Sequence, residues 1–382
     1  MSSTGWFVYW GVSSLAMICF VMAAQQTTRL GERSVHGSSK GLSLLCILSV
    51  FVLGAYFIGL RPINLGSDTP NYVRAYRALG SLTGAREVGL AYFGNTEWLY
   101  WPVQAVVKLL VPEPSAWLLT TYALTFFGAW LAYRFMAQEL GAPAIIFILL
   151  FFTYELVFFG NILRQVASYP LGILACYQLS ERRRFRASAL FAIAVGLHWS
   201  SLIFVLYPVL RILPITTRVR AVIYFAGALA ASGLILALTQ RIGGASAALG
   251  SMASLSEKAA SYSGGTTGFG PVYTTFNFFG CVVMILMYLL ALDDVRRSPV
   301  FNAVFLLFSG LVVVGVAVPT LSERFITNTL YLFPAIAWVV VRRLIPRSEG
   351  LRRIALAVFF LTMGAAVLMQ KSAIYTLGLV SD

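Results

Sequence analysis

A few ionisable side chains in this sequence sit where an apolar chain has little use for them. Arg61 and Asp68 lie in "RPINLGSDTPNY", Arg164 in "NILRQ", His198 in "GLHWSS", and Glu323 with Arg324 in "SERF". Except for His198, each follows or interrupts the end of an apolar run. Arginine offers a rigid fork of donors matched to phosphate oxygens and stays charged when desolvated. Arg61, Arg164 and Arg324 brought to one membrane face would therefore suit a lipid diphosphate, whose head group lies at the interface while its tail stays in the bilayer. A departing diphosphate gains negative charge in the transition state, so fixed cations there would promote departure as well as binding. His198 and Asp68 are the candidates to take a proton from an attacking hydroxyl, since imidazole titrates near neutrality.

Each of these residues has a plainer reading. An arginine near a helix end can snorkel to head groups, a lone histidine in an apolar helix is often a hydrogen-bonded core residue, and Asp68 before Thr69-Pro70 has the chemistry of a helix cap. Snorkelling explains Arg164 least well. It sits between Asn161 and Gln165, so three strong hydrogen-bonding side chains share a turn or two. Glu97 in "GNTEWLYWP" is a further candidate for the same outer cavity, Glu155 could partner an arginine, and Tyr72, Trp98 and Trp101 are interfacial aromatics. Asp293 and Asp294 stand beside Arg296 and Arg297 and read as a solvated loop. The four cysteines, Cys19, Cys46, Cys176 and Cys281, lie inside apolar runs far from metal or disulfide spacing. No metal and no cofactor is expected.

The elements that must position these residues are membrane helices. Hydrophobic residues make up 59% of 382 positions and charged residues 11%, with a mean hydropathy of +0.81, against roughly 45–50% apolar and about 25% charged in soluble domains. The net charge of +14 sits largely in short loops between apolar runs, as the positive-inside rule requires, so nucleic acid is excluded as a partner. The fold class is an all-α polytopic membrane protein, a single integral membrane domain over 1–382. Spans are expected at 5–24 (a retained helix rather than a signal peptide), 41–60, 115–136, 143–160, 163–180, 221–240, 271–292, 299–319, 325–341 and 354–370. Taking the basic loops 181–186, 293–298 and 342–353 as cytoplasmic puts the arginine-bearing ends on the outer face. That topology closes at about ten crossings if 96–111 does not cross and 187–210 dips in and returns with "GLHWSS" near its tip; full crossing of both gives twelve. Residues 61–95 are expected as an outer loop, and the Gly/Ser/Ala-rich 241–270 as another, with a short helix near 247–260.

Taken in order, "RPINLGSDTPNY", "NILRQ", "GLHWSSLIF" and "SERFITNTLYLFPA" resemble the elements of EpsG-type proteins, a branch of the Wzy-like bacterial polysaccharide polymerases of O-antigen, capsule or exopolysaccharide. Glu97 is similar in position to a family glutamate. The resemblance spans nearly the whole chain, except 241–270. It implies a GT-C-like fold with re-entrant or partial helices in the bacterial inner membrane. It also implies glycosyl transfer at the periplasmic face from undecaprenyl-diphosphate-linked oligosaccharide, with membrane lipid and, optionally, a chain-length regulator protein as partners. Arg164, Arg324 and Arg61 would hold the diphosphate. His198 or Asp68 would be catalytic, and Tyr72, Asn161, Gln165, Glu97 and Glu323 would orient the substrate; Tyr72, Trp98 and Trp101 would stack on sugar faces. The rival readings are a transporter or flippase of a lipid-linked or anionic sugar, and an O-antigen ligase.

Overall fold

A computed structural model describes residues 35–65, 68–94, 97–142, 146–147, 149, 163–213, 215–245, 271–315 and 319–368. Among these the chain is entirely helical, because long apolar runs can satisfy their backbone groups internally only as helices. The helices gather into two compact units, the first comprising residues up to Phe204 together with those from Ala337 onward, the second Val205–Ile336.

In the first unit, α1 (Val35–Gly54) runs into a π-helical turn, Ala55–Gly59, that delivers the chain to Arg61. The wider turn re-aims the chain at the end of an otherwise regular helix, a device common near functional sites. Gly59 packs on α5 (Pro114–Glu139), where an added Cβ would stand 2.8 Å from Leu119. At 26 residues and about 1.5 Å each, α5 is roughly 39 Å long, and it is the helix among the described residues that is long and apolar enough to cross a bilayer. It ends at Gly141, whose φ of +64° is the left-handed conformation favoured just beyond a helix.

The outer loop expected over 61–95 is largely helical: α2 (Thr69–Ala78) and α3 (Ala85–Phe93) lie within it, followed by α4 (Tyr100–Leu110). The turn chemistry of "GSDTP" and "GSLTG" marks the gaps between these helices and masks the helices themselves. Their shared core is aromatic, with Tyr72, Tyr76, Tyr100, Trp101 and Trp117 all buried. Tyr76 stacks on Trp117 at 4.3 Å and donates to Val111 O at 2.6 Å. Lys108 Nζ donates to Arg77 O and Leu79 O, neutralising the carbonyl end of α2 as a C-terminal cation should. At 11 residues, α4 is roughly 16 Å long and too short to cross alone.

Helix α6 (Leu163–Ser180) coincides with the expected fifth span and pairs with α7 (Arg184–Leu197) as a hairpin. Gly172 of α6 is in direct contact with the ring of Phe204. Helix α7 stops at His198, and a 3-10 segment, Trp199–Leu206, follows, so the segment 187–210 is broken at "GLHWSS". The second unit contains α8 (Tyr207–Ile212), α9 (Arg218–Ala245), α10 (Pro271–Val295), α11 (Pro299–Val314) and the first part of α12 (Pro319–Leu344); α13 (Glu349–Leu368) belongs to the first. These helices overlie the spans expected over 221–240, 271–292, 299–319, 325–341 and 354–370. Asp293 faces Arg218 and Arg296 at 3.8 Å each, and Asp294 faces Arg297 at 3.9 Å. The spans expected at 5–24 and 143–160, and most of 241–270, lie outside the described residues.

Candidate active site

One backbone hydrogen bond assembles the site. In an unbroken α7 the carbonyl of Gly196 would accept from the N–H of Ser200. Instead Gly196 O accepts from Leu99 N at 3.0 Å, and Ser200 N turns to the Nδ1 of His198 at 3.3 Å. The helix therefore ends with both groups satisfied by new partners, His198 takes an extended backbone (φ −155°, ψ 119°), and residues 97–99 are tied to the break. Only glycine permits this approach: a Cβ at 196 would stand 2.8 Å from Leu99 Cβ and from two ring carbons of Trp98.

The result is a buried constellation drawn from three separate stretches. The Glu97 carboxylate is fully inside. Its Oε2 accepts from Arg164 Nη1 at 2.5 Å, and its Oε1 lies 3.5 Å from His198 Nδ1. Arg164, in the first turn of α6, also donates through Nε to the Tyr72 hydroxyl at 2.9 Å. Its guanidinium lies 4.5 Å from the Phe93 ring centroid and 5.6 Å from that of Tyr72, a cation–π setting that replaces lost hydration. Tyr72, Phe93 and Trp101 form the wall behind it, with ring centroids 4.6–6.4 Å apart. At the same ring nitrogen, Ser200 Oγ is 3.3 Å from His198 Nδ1 and accepts from Tyr169 at 3.3 Å. Burial pushes the Tyr72 phenol up although Arg164 pulls the other way, so it is neutral at pH 7.

Arg61 is buried and donates through Nη2 to Thr69 Oγ1 at 2.5 Å. Burial brings its guanidinium down to about 10, still cationic at neutral pH. Asp68 occupies the N-cap position of α2, yet its carboxylate makes no cap hydrogen bond, so the capping explanation does not account for the side chain. It is half-buried and close enough for its charge to act on Tyr72.

Of the expected residues, Arg164, Glu97, His198 and Tyr72 come together, Gln165 is buried beside Arg164 on α6, and Arg61 with Asp68 flanks α2. Asn161 and Glu155, and the side chains of Glu323 and Arg324 on α12, lie outside the described residues. Two of the donors of Arg164 and its charge are engaged by Tyr72 and Glu97 within the protein. Trp101 has no exposed surface because it is packed against Gly89 of α3, which removes it from any sugar-binding face; Trp98 keeps 54% exposure. Ser200, Tyr169 and Tyr100 escaped sequence reasoning. Ser200 sits inside the quoted "HWSS" and Tyr100 three residues after Glu97 in "EWLY", but neither type is unusual at a membrane interface. Among the described residues no group of three or more His, Cys, Asp or Glu could hold a metal ion.

No curated protein and no solved structure matches the chain. The model of the EpsG family matches residues 44–380, a stretch that includes every residue of the constellation around Glu97. With nearly the whole sequence covered, the chain belongs to the EpsG family, membrane proteins of the polysaccharide-polymerase type that act on lipid-linked saccharide.

Proposed function

We propose that the protein is a glycosyltransferase of GT-C-like architecture that polymerises undecaprenyl-diphosphate-linked oligosaccharide repeats at the periplasmic face of the bacterial inner membrane. The observation that carries this reading is the buried Glu97 carboxylate shared between Arg164 and His198. Ion pairs at such depth are costly, and ionisable groups retained within membrane proteins are characteristically functional.

The proposed chemistry follows from the placement of Nδ1. That nitrogen is surrounded by Glu97 and both the N–H and hydroxyl of Ser200, so Nε2 is the atom assigned to the acceptor. In the observed geometry Nδ1 accepts from the Ser200 N–H; the proposed base form has the ring proton moved to Nδ1, facing Glu97 Oε1, which frees the lone pair of Nε2. It takes the proton of the acceptor hydroxyl as that oxygen bonds to C1 of the growing glycan. The bond from C1 to the diphosphate oxygen breaks, and undecaprenyl diphosphate leaves with the electron pair. Glu97 compensates the imidazolium that forms, and Arg164 keeps Glu97 ionised and oriented. Arg61 is the diphosphate ligand this unit supplies, and Arg324 keeps the role implied by its motif. His198 is preferred to Asp68 as base because Glu97 lies against its ring, whereas Asp68 borders the site at the start of α2.

The test is chain elongation from lipid-linked repeats by the purified protein in vesicles. H198A abolishes elongation and D68A retains it. Normal elongation by H198A would remove the base assignment. Repeats that cross the bilayer without a new glycosidic bond would mark a transporter instead.

A further inference from the structure

Nδ1 of His198 meets groups of opposite demand. Glu97 Oε1, 3.5 Å away, can only accept and so favours a proton on Nδ1. The backbone N–H of Ser200, 3.3 Å away, can only donate and so favours a bare Nδ1 with the ring proton on Nε2. The Ser200 hydroxyl, also at 3.3 Å, can take either role. Which ring nitrogen carries the proton is set by the bonds the other makes, so the sense of that hydroxyl tips the balance between the two tautomers.

Tyr169 gives the hydroxyl its direction. The phenol donates to Ser200 Oγ at 3.3 Å. A hydroxyl has one proton and two lone pairs; with a lone pair engaged by Tyr169, the Ser200 proton is left to be given to Nδ1. Tyr169 is 4% exposed, and its ring meets that of Phe204 edge-on at 5.8 Å. Phe204 in turn lies against Gly172, so the tyrosine is fixed between α6 and the 3-10 segment that carries Ser200. Both arms on the imidazole therefore start from α6. Arg164 reaches it through Glu97, and Tyr169, later on the same helix, reaches it through Ser200.

We propose that Tyr169 and Ser200 are positioning residues that hold His198 in an idle tautomer, with its proton on Nε2, and that the base form arises when the Ser200 hydroxyl turns from donor to acceptor at Nδ1. The proposal rests on the polymerase reading and adds to it a brake on the base. The change moves no net charge: water takes the proton from Nε2 and returns one to Nδ1, and Ser200 keeps its own. Neither Tyr169 nor Ser200 touches the substrate in this scheme.

The imidazole itself is the probe. The sequence has two histidines, and H36Q leaves His198 alone, so histidine labelled with NMR-active nitrogen reports each ring nitrogen of the full chain in vesicles. With Ser200 in place, the neutral ring is expected to show a bare Nδ1 and a protonated Nε2. S200A removes the hydroxyl and keeps the backbone N–H. The ratio of Nδ1-protonated to Nε2-protonated ring then rises about fivefold, the worth of one hydrogen bond. Y169F moves the ratio the same way by less, and S200T, which restores a hydroxyl, returns it to the wild-type value. In S200A the kcat for elongation rises with the ratio, by up to about fivefold, while KM for the lipid-linked repeat is unchanged.

A ratio unmoved in both S200A and Y169F would show that the hydroxyls serve only the fold and would overturn the proposal. A ring already protonated on Nδ1 in the presence of Ser200 would do the same, as would a kcat that falls while the ratio rises. The spectra need no substrate, which separates the two readings. If the wild type makes no polymer, the polymerase reading fails and the ratio still decides the assignment of Tyr169 and Ser200. If polymer is made while the ratio stays fixed, the brake alone fails.

Discussion

Glu97 carries two duties that a double-mutant cycle can pull apart. Its side chain is fully buried and accepts from Arg164 at 2.5 Å on one oxygen while the other faces His198 at 3.5 Å. Replacing Glu97 with Gln keeps the shape and removes the charge, which strands the Arg164 guanidinium in a site with little access to water. Breaking a buried pair from one side costs about 3–5 kcal/mol, because the remaining charge is left uncompensated. Arg164→Gln strands the carboxylate in the same way. The double variant leaves neither charge behind, so its loss is expected near that of either single change, which makes the coupling as large as one single loss, about 3–5 kcal/mol.

Activity follows a different rule. In E97Q the amide can offer a donor to His198 Nδ1, which favours the tautomer with its proton on Nε2 and removes the lone pair needed at the acceptor. Elongation should fall by about 10²–10⁴-fold, the usual worth of a positioned base. The double variant should recover stability relative to additivity and recover none of the elongation, because Glu97 is still absent. Stability is read by denaturant titration of the detergent-purified protein, and activity by elongation in vesicles. Additive losses, with a coupling below about 0.5 kcal/mol, would refute the buried pair. Elongation restored in the double variant would refute the link from Glu97 to His198.

Two further substitutions test how the site is held. Arg182 joins α6 to α7 at φ +61°, a conformation that costs an L-residue about 1–2 kcal/mol; R182G should gain roughly 0.5–1 kcal/mol after the greater chain entropy of glycine is subtracted, and a lower melting temperature would contradict the assigned backbone. G196A places a Cβ 2.8 Å from Leu99 and the Trp98 ring, forcing residues 97–99 off the end of α7. Elongation is expected to drop by about 10²-fold with a stability loss of about 1–3 kcal/mol, and unchanged elongation would show that this junction does not hold Glu97 against His198.

The longer helices were legible because apolar runs between basic loops mark them, so that α6 ends at Ser180 where "ERRRFR" begins. Helices α2 and α3 were not, since they are short and their amphipathic pattern is outweighed by the turn residues around them. Arg164, His198 and Glu97 could each be singled out because an apolar chain makes every polar residue conspicuous. Their pairing could not, since Arg164 and Glu97 are 67 positions apart and the junction depends on which carbonyl Leu99 N–H reaches. The same limit misdirected the aromatic residues: "WLYW" offers two of the candidates for a sugar face, Trp98 and Trp101, and the packing of α3 through Gly89 buries Trp101 while Trp98 stays exposed. It also hid the contacts of Arg164. Alone in a sequence an arginine is a free cation awaiting phosphate; here it is neutralised by a buried carboxylate that lies against a histidine. The same guanidinium that the sequence offers to a diphosphate is thus paired inside the protein with Glu97, a contact 67 positions away that no local pattern announces.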